Sequence, residues 1–504
     1  MMAPRPTWPH RRTPQGPTIG VLGASAGGLA MGVRLKRAGF HDFVIFEKSA
    51  GVGGTWRDNT YPGAACDIMS HLYSFSFAPN PAWSRTYADQ PEILAYLESI
   101  ADRFGLRPHL RLATAVTEAR WDDDANHWRL HTESGESHHV DILISALGML
   151  NLPAVPNLVG LDGFAGNVFH SARWDHDHDL AGKRVAVVGT GASAVQFVPE
   201  IVERTERVHV FQRSPAWIVP KLLRPYTPEE IRRFRTVPGA GRRHRWQILA
   251  QLERNTSIHT ADARTAEREN WHHGHLRRQI PDDPDLRAAL TPDYPIGCKR
   301  LLPSDTWFPA LARPDVELVT TGIERVTRSG VRTVDGRERE VDTIILGTGF
   351  RAGEYLAAVD VFGRDGRRLR DDWRDGAQAY LGMAVAGYPN LFVMYGPNTN
   401  QGGGSILFVL EAQARYITAA VRAMARRRLA HVEVRREIQD AFNARIQQAM
   451  DGTVWQGCDS YFRAPNGRIT TQWPYPARRY WWETRRLRLG DYRTTRTPHP
   501  GASA

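Results

Sequence analysis

The sequence has little cysteine and no long apolar run. Its three cysteines, Cys66, Cys298 and Cys458, are too few and too scattered for a disulfide framework, and no two of them form a C-x-x-C pair. The basic N-terminal residues lack the apolar core of a signal peptide, and nowhere do about eighteen apolar residues run together. We therefore expect a protein of the reducing cytoplasm, with no membrane span and with a flexible tail over residues 1–17.

Signals for nucleic-acid and metal binding are also missing. No helix-turn-helix, zinc-finger or aromatic RNA-binding pattern accompanies the net charge of +11, which we interpret as an arginine-rich surface. The histidine-rich stretches HDHD (176–179) and HHGH (272–275) have no zinc-type spacing, so we expect solvated loop faces there. The sequence predicts neither a nucleic-acid partner nor a metal.

What the chain does have is enough material for two or three ordinary domains. It is 504 residues long, with 42% hydrophobic and 24% charged residues, which is close to the average for globular proteins. This balance suggests neither a disordered nor a fibrous protein.

The first strong motif begins at Thr18, where an apolar strand, a glycine turn, a helix and a second strand follow one another. The turn GASAGG runs from Gly23 to Gly28, and the second strand ends in Glu47. In a dinucleotide site the helix N-terminus binds the pyrophosphate, and an acid about 20 residues further on accepts the ribose hydroxyls. Ser25 replaces the middle glycine of the motif, and its side chain narrows the space in which the backbone can approach the pyrophosphate. This unit predicts an FAD or NAD site.

A second copy of the motif follows near the middle of the chain. Gly189, Gly191 and Ala194 have the same spacing, but the next strand ends in Arg213 and Ser214 in place of an acid. Arginine suits a ribose 2′-phosphate because it forms a charge-assisted pair with it. This unit therefore predicts an NADP site, and a single Rossmann enzyme with a chance second motif is the alternative.

These repeats predict an α/β fold with two Rossmann-type dinucleotide-binding domains, one of them interrupted by a helical insertion. Apolar strands that run into a glycine turn end both units, at 141–148 and 342–350, and the arginine-rich stretch between them lacks strand-like alternation. The predicted divisions are 18–150 with 380–504 for FAD, 151–216 with 296–379 for NADP, and 217–295 for the insertion.

The stretch FAGNVFHSARWD (164–175) matches the pattern F-x-G-x-x-x-H-x-x-x-W followed by Pro or Asp. This pattern resembles the fingerprint of the Baeyer-Villiger monooxygenases, the type I class B flavoprotein monooxygenases. Further blocks similar to that family lie at 53–67, 87–94, 294–302 and 396–413. The resemblance implies an FAD- and NADPH-dependent enzyme that inserts one oxygen of O2 beside a ketone carbonyl, through a flavin C4a-peroxide, to give an ester or lactone.

The resemblance also implies catalytic residues. Arg300, in the G-x-K-R segment, is expected to stabilise negative charge during oxygen insertion, because arginine stays protonated at any working pH. Asp67 is the expected partner of Arg300, and Lys299 is expected to face the NADP phosphate. A surface arginine is the plainer interpretation of Arg300.

Residues expected to contact the cofactors lie in the glycine loops, at the strand ends or in the family-like blocks. They are Gly23, Ser25, Gly27, Gly28, Glu47, Thr55, Trp56, Asp58, Tyr61, Cys66, Tyr73, Gly189, Thr190, Gly191, Ala192, Ser193, Gln196, Arg213, Ser214 and Lys299. Trp56 and Tyr61 fit equally well as core aromatic residues.

The fingerprint residues Gly166, His170 and Trp174 are expected to fasten an interdomain linker that moves, and a proton-donor role for His170 is the alternative. Two other functions stay open. One is a flavin monooxygenase acting on nitrogen or sulfur, and the other is a flavoprotein without oxygenase activity, which Ser25 alone favours. The ketone and the oligomeric state are not predicted.

Overall fold

The structure is a computed structural model that describes residues 16–255, 263–402 and 404–496. The predicted flexible tail therefore lies, except for residues 16 and 17, outside the described residues. Strands and helices alternate along much of the chain.

The strands are β1 Ile19–Leu22, β2 Phe43–Phe46, β3 Leu110–Arg111, β4 Val116–Asp122, β5 His127–Thr132, β6 Ser137–Val140, β7 Ile142–Ser145, β8 Asn167–His170, β9 Arg184–Val188, β10 Arg207–Phe211, β11 Ile218–Val219, β12 Leu302–Pro303, β13 Val316–Val319, β14 Ile323–Val326, β15 Gly330–Thr333, β16 Glu338–Glu340, β17 Thr343–Leu346, β18 Asp360–Phe362, β19 Leu391–Val393, β20 Leu429–Val434 and β21 Tyr492–Arg496.

The helices are α1 Ala26–Arg37, α2 Thr55–Asp58, α3 Gln90–Arg103, α4 Ala192–Ile201, α5 Pro228–Thr236, α6 Ala240–Asn255, α7 Ala263–Gln279, α8 Pro284–Ala289, α9 Trp307–Leu311, α10 Leu369–Asp372, α11 Ile406–Arg427, α12 Arg436–Gln448 and α13 Ala477–Glu483.

Two parallel sheets organise the molecule. The first has the strand order β19-β7-β1-β2-β3 and the second has the order β13-β10-β9-β17-β8. Strands such as β1 (IGVL) and β7 (ILIS) are buried along their whole length, as expected for parallel strands covered on both faces. The predicted α/β fold class is confirmed.

The two units follow the same plan in detail. Three successive antiparallel strands interrupt each one: β4, β5 and β6 precede β7 in the first, and β14, β15 and β16 precede β17 in the second. The helix after the first strand of each unit, α1 or α4, begins directly after a glycine loop. The repeat seen in the sequence is therefore a repeat of the fold.

One strand divides the units differently from the sequence-based boundaries. β18 pairs in parallel with β4 of the first unit, although residues 296–379 were assigned to the second. Its Val361 is buried in one cluster with Trp121 and Trp128 of the first unit. Burial of these apolar side chains places the stretch from β18 onward with the first unit.

The arginine-rich stretch that interrupts the second unit is mainly helical and comprises α5 to α8. On α6, Arg245 Nη1 donates a hydrogen bond to the backbone carbonyl of Leu72 at 2.9 Å, and its Nη2 lies 3.5 Å from Glu411 Oε1. These contacts attach the insertion to the first unit.

The HHGH stretch is not a solvated loop face. It lies within α7, where His272 and His275 are buried, because their spacing of three places both side chains on one face of the helix. His275 Nε2 lies 2.8 Å from the backbone oxygen of Ser304. In the HDHD stretch, His176, Asp177 and Asp179 are exposed, as predicted, whereas His178 is half-buried and its Nε2 lies 2.8 Å from Thr343 Oγ1. Over the described ranges, no group of three His, Cys, Asp or Glu residues could hold a metal ion.

Cysteine pairing also differs from the expectation. Cys298 and Cys458, 160 residues apart in the chain, form a disulfide, whereas Cys66 is free and buried. Sequence spacing could not reveal this pair because the fold brings together two distant loops. Within residues 16–255, 263–402 and 404–496, no helix combines the length and apolarity needed to cross a membrane.

Candidate active site

The first glycine loop has the geometry of a pyrophosphate site. Gly23 has a φ of +97°, and a Cβ at Gly28 would lie 1.9 Å from the Gly23 carbonyl oxygen, so the turn requires glycine at both positions. Ser25 occupies the N-cap of α1, but its Oγ donates a hydrogen bond to the Ala146 oxygen at 3.0 Å and leaves the first N–H groups of the helix uncapped. These groups and the helix dipole suit an anionic ligand.

Glu47 supports this loop from the end of β2. Its carboxylate is buried and accepts hydrogen bonds from the backbone N–H groups of Ala24 at 2.8 Å and Ser49 at 2.9 Å. The predicted ribose acceptor therefore lies at the loop, where it also holds the loop backbone in place.

The second glycine loop repeats this arrangement. Gly189 has a φ of +107°, and Gly191 caps α4 without a side-chain hydrogen bond to the helix. The Thr190 hydroxyl donates to the backbone oxygen of Ser214 at 3.1 Å, which joins the loop to the end of β10. Ala192 and Ser193 open α4. This loop also fits a pyrophosphate.

A cluster of cations lies at the end of β10. Lys299 Nζ donates to Ser214 Oγ at 2.8 Å and lies 4.4 Å from the centre of the Tyr294 ring. Burial lowers the pKa of Lys299, and the positive charge of Arg213 lowers it further. Two neighbouring cations beside a hydroxyl form a site that an added phosphate would stabilise.

Arg300 and Asp67 form the predicted ion pair. Arg300 Nε donates to Asp67 Oδ2 at 2.8 Å, and Nη2 donates to the same oxygen at 2.5 Å. The negative charge of Asp67 raises the pKa of Arg300 above its ordinary value. The arginine side chain is 44% exposed, against 18% for the aspartate, so the cation remains open to a ligand.

Gln196 of α4 joins the two units near this pair. Its Oε1 accepts hydrogen bonds from the Tyr61 hydroxyl at 3.1 Å and from the Ala65 N–H at 3.3 Å, and its Nε2 donates to the Ala65 oxygen at 3.0 Å. Burial raises the pKa of Tyr61, so its hydroxyl stays a donor. These contacts fix the Tyr61–Asp67 segment against the second unit.

The other cofactor candidates of the first unit lie beside the loop. Trp56 Nε1 donates to the Tyr73 hydroxyl at 2.8 Å, and Cys66 is buried, which raises the pKa of its thiol. The Thr55 hydroxyl is 3.4 Å from the Leu150 oxygen. Gly27 lies against α11, since a Cβ there would meet Leu410 at 3.4 Å.

The fingerprint forms β8, the edge strand of the second sheet, and the residues that directly follow this strand. Trp174 packs against Phe169 and Phe197, with ring centres 5.1 and 5.3 Å away. A Cβ at Gly166 would lie 2.3 Å from the Asp342 oxygen, which explains the glycine. Arg173 Nη1 is 3.9 Å from Asp58 Oδ2, so this segment also contacts the first unit.

His170 is buried within the fingerprint. Its Nδ1 accepts a hydrogen bond from the Ala172 N–H at 3.0 Å, and its ring lies 6.1 Å from that of Phe350. Burial lowers the pKa of His170, so the ring is neutral near pH 7. His170 therefore acts as a neutral hydrogen-bond acceptor within this turn, and its role in a moving linker stays a prediction.

Lys221 is a charged neighbour of Asp67 that sequence reasoning missed. Burial lowers its pKa, while the charge of Asp67 acts in the opposite direction, so Asp67 has a second cationic neighbour besides Arg300. Lys221 Nζ lies 5.7 Å from the Tyr87 ring centre, and Tyr87 belongs to one of the family-like blocks. That block was the only available signal, since Lys221 itself lies in the generic insertion.

Comparison with known proteins shows the family of the chain. Residues 21–272 match the family model described as pyridine nucleotide-disulphide oxidoreductase. A Baeyer-Villiger monooxygenase of Pseudomonas aeruginosa is 44% identical over 484 residues, which cover 95% of this chain and 92% of that protein. The chain belongs to the Baeyer-Villiger monooxygenases.

Two further matches extend this result. An FAD-binding monooxygenase of Aspergillus niger is 38% identical over 502 residues, which cover 94% of this chain and 81% of that protein. The crystal structure of cyclohexanone monooxygenase from Rhodococcus sp. Phi1, bound to NADP+, superposes with a TM-score of 0.85 at 28% identity, covering 96% of this chain and 100% of that one. The predicted family, monooxygenase activity and cofactors FAD and NADP are thereby confirmed.

Proposed function

We propose that this monooxygenase converts a ketone to an ester or lactone, with NADPH as the electron donor and O2 as the oxygen source. The observation that carries the proposal is the Arg300–Asp67 pair, which lies where the two nucleotide-binding units meet. The named substrate of the cyclohexanone monooxygenase that shares this fold supports a ketone.

Each cofactor has a binding element in this proposal. The N-terminus of α1 and the Gly23–Gly28 loop hold the FAD pyrophosphate, and the N-terminus of α4 holds that of NADPH. Arg213, Ser214 and Lys299 bind the 2′-phosphate. When bound, FAD carries the electrons from NADPH to O2 and so supplies the activated oxygen.

Arg300 stabilises the negative charge that develops on oxygen as it adds to the ketone carbonyl. Its Nε and Nη2 are engaged with Asp67, so its Nη1 group is free of that contact and offers donors to an anionic oxygen. A fixed cation stabilises a developing negative charge far more strongly where bound ligands exclude water than it does in water. Asp67 positions this cation, and Lys221 adds positive charge nearby.

The fingerprint acts at the joint between the units. His170 and Trp174 fix the edge of the second sheet, and Arg173 reaches Asp58 of the first unit. Movement of one unit against the other would change the Arg173–Asp58 contact without touching the glycine loops. We assign these residues to domain positioning and no bond chemistry.

A ketone panel tests the function. Cyclic, aliphatic and aryl ketones are incubated with NADPH, and NADPH consumption, hydrogen peroxide and product mass are measured together. We expect at least one ketone to gain a single oxygen atom in proportion to NADPH consumed. If amines or sulfides are oxygenated while every ketone is returned unchanged, the proposal is wrong.

A further inference from the structure

The Cys298–Cys458 disulfide joins two segments that both reach Arg300. Cys298 precedes Arg300 by two residues, and Cys458 precedes Tyr461 by three. The Tyr461 phenol lies close enough to Arg300 to contribute to raising the pKa of the guanidinium. The disulfide therefore joins two segments of the chain that both lie near the proposed catalytic cation.

The segment that carries Lys299 and Arg300 has no regular secondary structure. Its backbone hydrogen bonds lie at its two ends, from the Cys298 N–H to the Pro295 oxygen at 3.1 Å and from the Leu302 N–H to the Trp217 oxygen at 3.0 Å. Lys299 and Arg300 lie between these anchors, and the disulfide fixes the first anchor covalently.

The segment on the other side of the disulfide is anchored in the first unit. Val454, Trp455 and Phe462 flank Cys458, and all three are buried in the core that contains α1 and α11. Gly457 packs against Pro295, because a Cβ at this glycine would lie 2.8 Å from Pro295 Cγ. The disulfide therefore ties the Lys299–Arg300 segment to the core of the FAD-binding unit.

We propose that the Cys298–Cys458 disulfide is a redox-dependent tether that positions Lys299 and Arg300. Consecutive Cα atoms are about 3.8 Å apart, so the tether acts within two residues of the guanidinium-bearing Cα. A shift of about 1 Å at a reacting group can cost up to about a hundredfold in rate. This inference rests on the proposed ketone oxygenation.

The tether can form with a peroxide as oxidant, and a two-electron reductant such as a phosphine returns it to two thiols. Cys458 is only partly buried, whereas Cys298 is fully buried, so the Cys458 thiolate is the accessible nucleophile. Its sulfur attacks one peroxide oxygen, the O–O bond breaks, and hydroxide leaves to take up a proton. The Cys298 thiolate then attacks the Cys458 sulfenic acid and releases the second oxygen as water. In sum, two thiols and one H2O2 give one disulfide and two H2O.

The test compares the oxidised holoenzyme with the same protein treated with a phosphine reductant. Alkylation followed by mass measurement counts the thiols in each form, and melting temperature and FAD content show whether the fold is intact. We expect reduction to lower the ester formed per NADPH at least threefold, to raise hydrogen peroxide by the amount lost, and to raise the KM for NADPH about threefold. Hydrogen peroxide should restore the oxidised values.

Cys458→Ser is the matched control for the reagent. It should show the values of the reduced protein whether or not reductant is present, with Cys298 left in place. The tether is overturned if the oxidised holoenzyme shows all three thiols, or if its reduction changes neither the ester yield nor the KM for NADPH. Should neither form make ester from any ketone, the proposed function fails, and the KM for NADPH, measured by flavin reduction, still decides the tether.

Discussion

Arg300 places two of its nitrogens, Nε and Nη2, on a single carboxylate oxygen of Asp67, at 2.8 and 2.5 Å. The two residues are 233 positions apart in the chain, and each comes from a different nucleotide-binding unit. This contact orients the guanidinium plane and leaves the Nη1 donors outside the pair.

Replacing Arg300 with lysine separates charge from geometry. Arg300→Lys keeps a cation but loses the planar group that pairs with Asp67, so the charge is no longer held at one position. We expect the variant to consume NADPH and to release hydrogen peroxide with little ester. The measurement is the ratio of ester to hydrogen peroxide formed per NADPH. A native ratio in the variant would contradict the role of the planar guanidinium group.

The choice between NADPH and NADH depends on Arg213. Arg213→Ala removes a charge-assisted contact worth about 1.5 to 3 kcal/mol, so the KM for NADPH should rise about tenfold or more. The exposed Arg204 of the same unit is the control, and Arg204→Ala should leave this KM unchanged. Equal KM values for NADH and NADPH in the native protein would refute the 2′-phosphate site.

The KM for NADPH should depend on pH through Lys299. Burial and the charge of Arg213 lower the pKa of Lys299 below the ordinary lysine value of 10.5. Only the protonated amine attracts phosphate, so the KM for NADPH should rise as pH increases through that lowered pKa, before an ordinary lysine would deprotonate. Lys299→Arg stays charged at alkaline pH and should flatten this rise. Equal alkaline profiles for the two proteins would exclude Lys299 from the phosphate site.

The first glycine loop should tolerate no side chain at Gly28. An added Cβ would lie 1.9 Å from the Gly23 oxygen, so Gly28→Ala must displace the loop and its N–H groups from the pyrophosphate. Loss of one charge-assisted hydrogen bond lowers FAD affinity by about tenfold or more. Gly163→Ala is the control because a Cβ there meets nothing within 4 Å. FAD titration of both variants measures the affinity, and the melting temperature verifies that each variant folds. Equal FAD affinity in Gly28→Ala and Gly163→Ala would contradict the prediction.

The sequence predicted the parts of this protein that follow local rules. A glycine turn between a buried strand and a helix needs only neighbouring residues, so both loops, including Gly23 and Gly189, could be found. The Arg300–Asp67 pair was expected only because the blocks around both residues resemble a family. Without that resemblance, two charges so distant in the chain could not have been paired.

What the sequence could not give depends on contacts between distant segments. Cys298 and Cys458 lie in loops whose packing sets their pairing, so counting cysteines suggested no disulfide. His272 was expected to be solvated because its neighbours in the sequence are polar. One face of α7 is nevertheless buried. β18 pairs with a strand of the first unit. Its apolar side chains do not indicate in the sequence which unit buries them.

The decisive measurement of the role of Arg300 is ester formation by Arg300→Ala, from a ketone that the native enzyme accepts and under isotopically labelled O2. Removing one preorganised charge stabiliser typically costs about a hundred- to a thousandfold in kcat. We predict that the native enzyme places one labelled oxygen atom in the ester, and that Arg300→Ala makes ester at less than about one hundredth of the native rate while still binding NADPH through Lys299 and Arg213. Labelled ester formed by Arg300→Ala at close to the native rate would show that Arg300 is not the cation of the reaction.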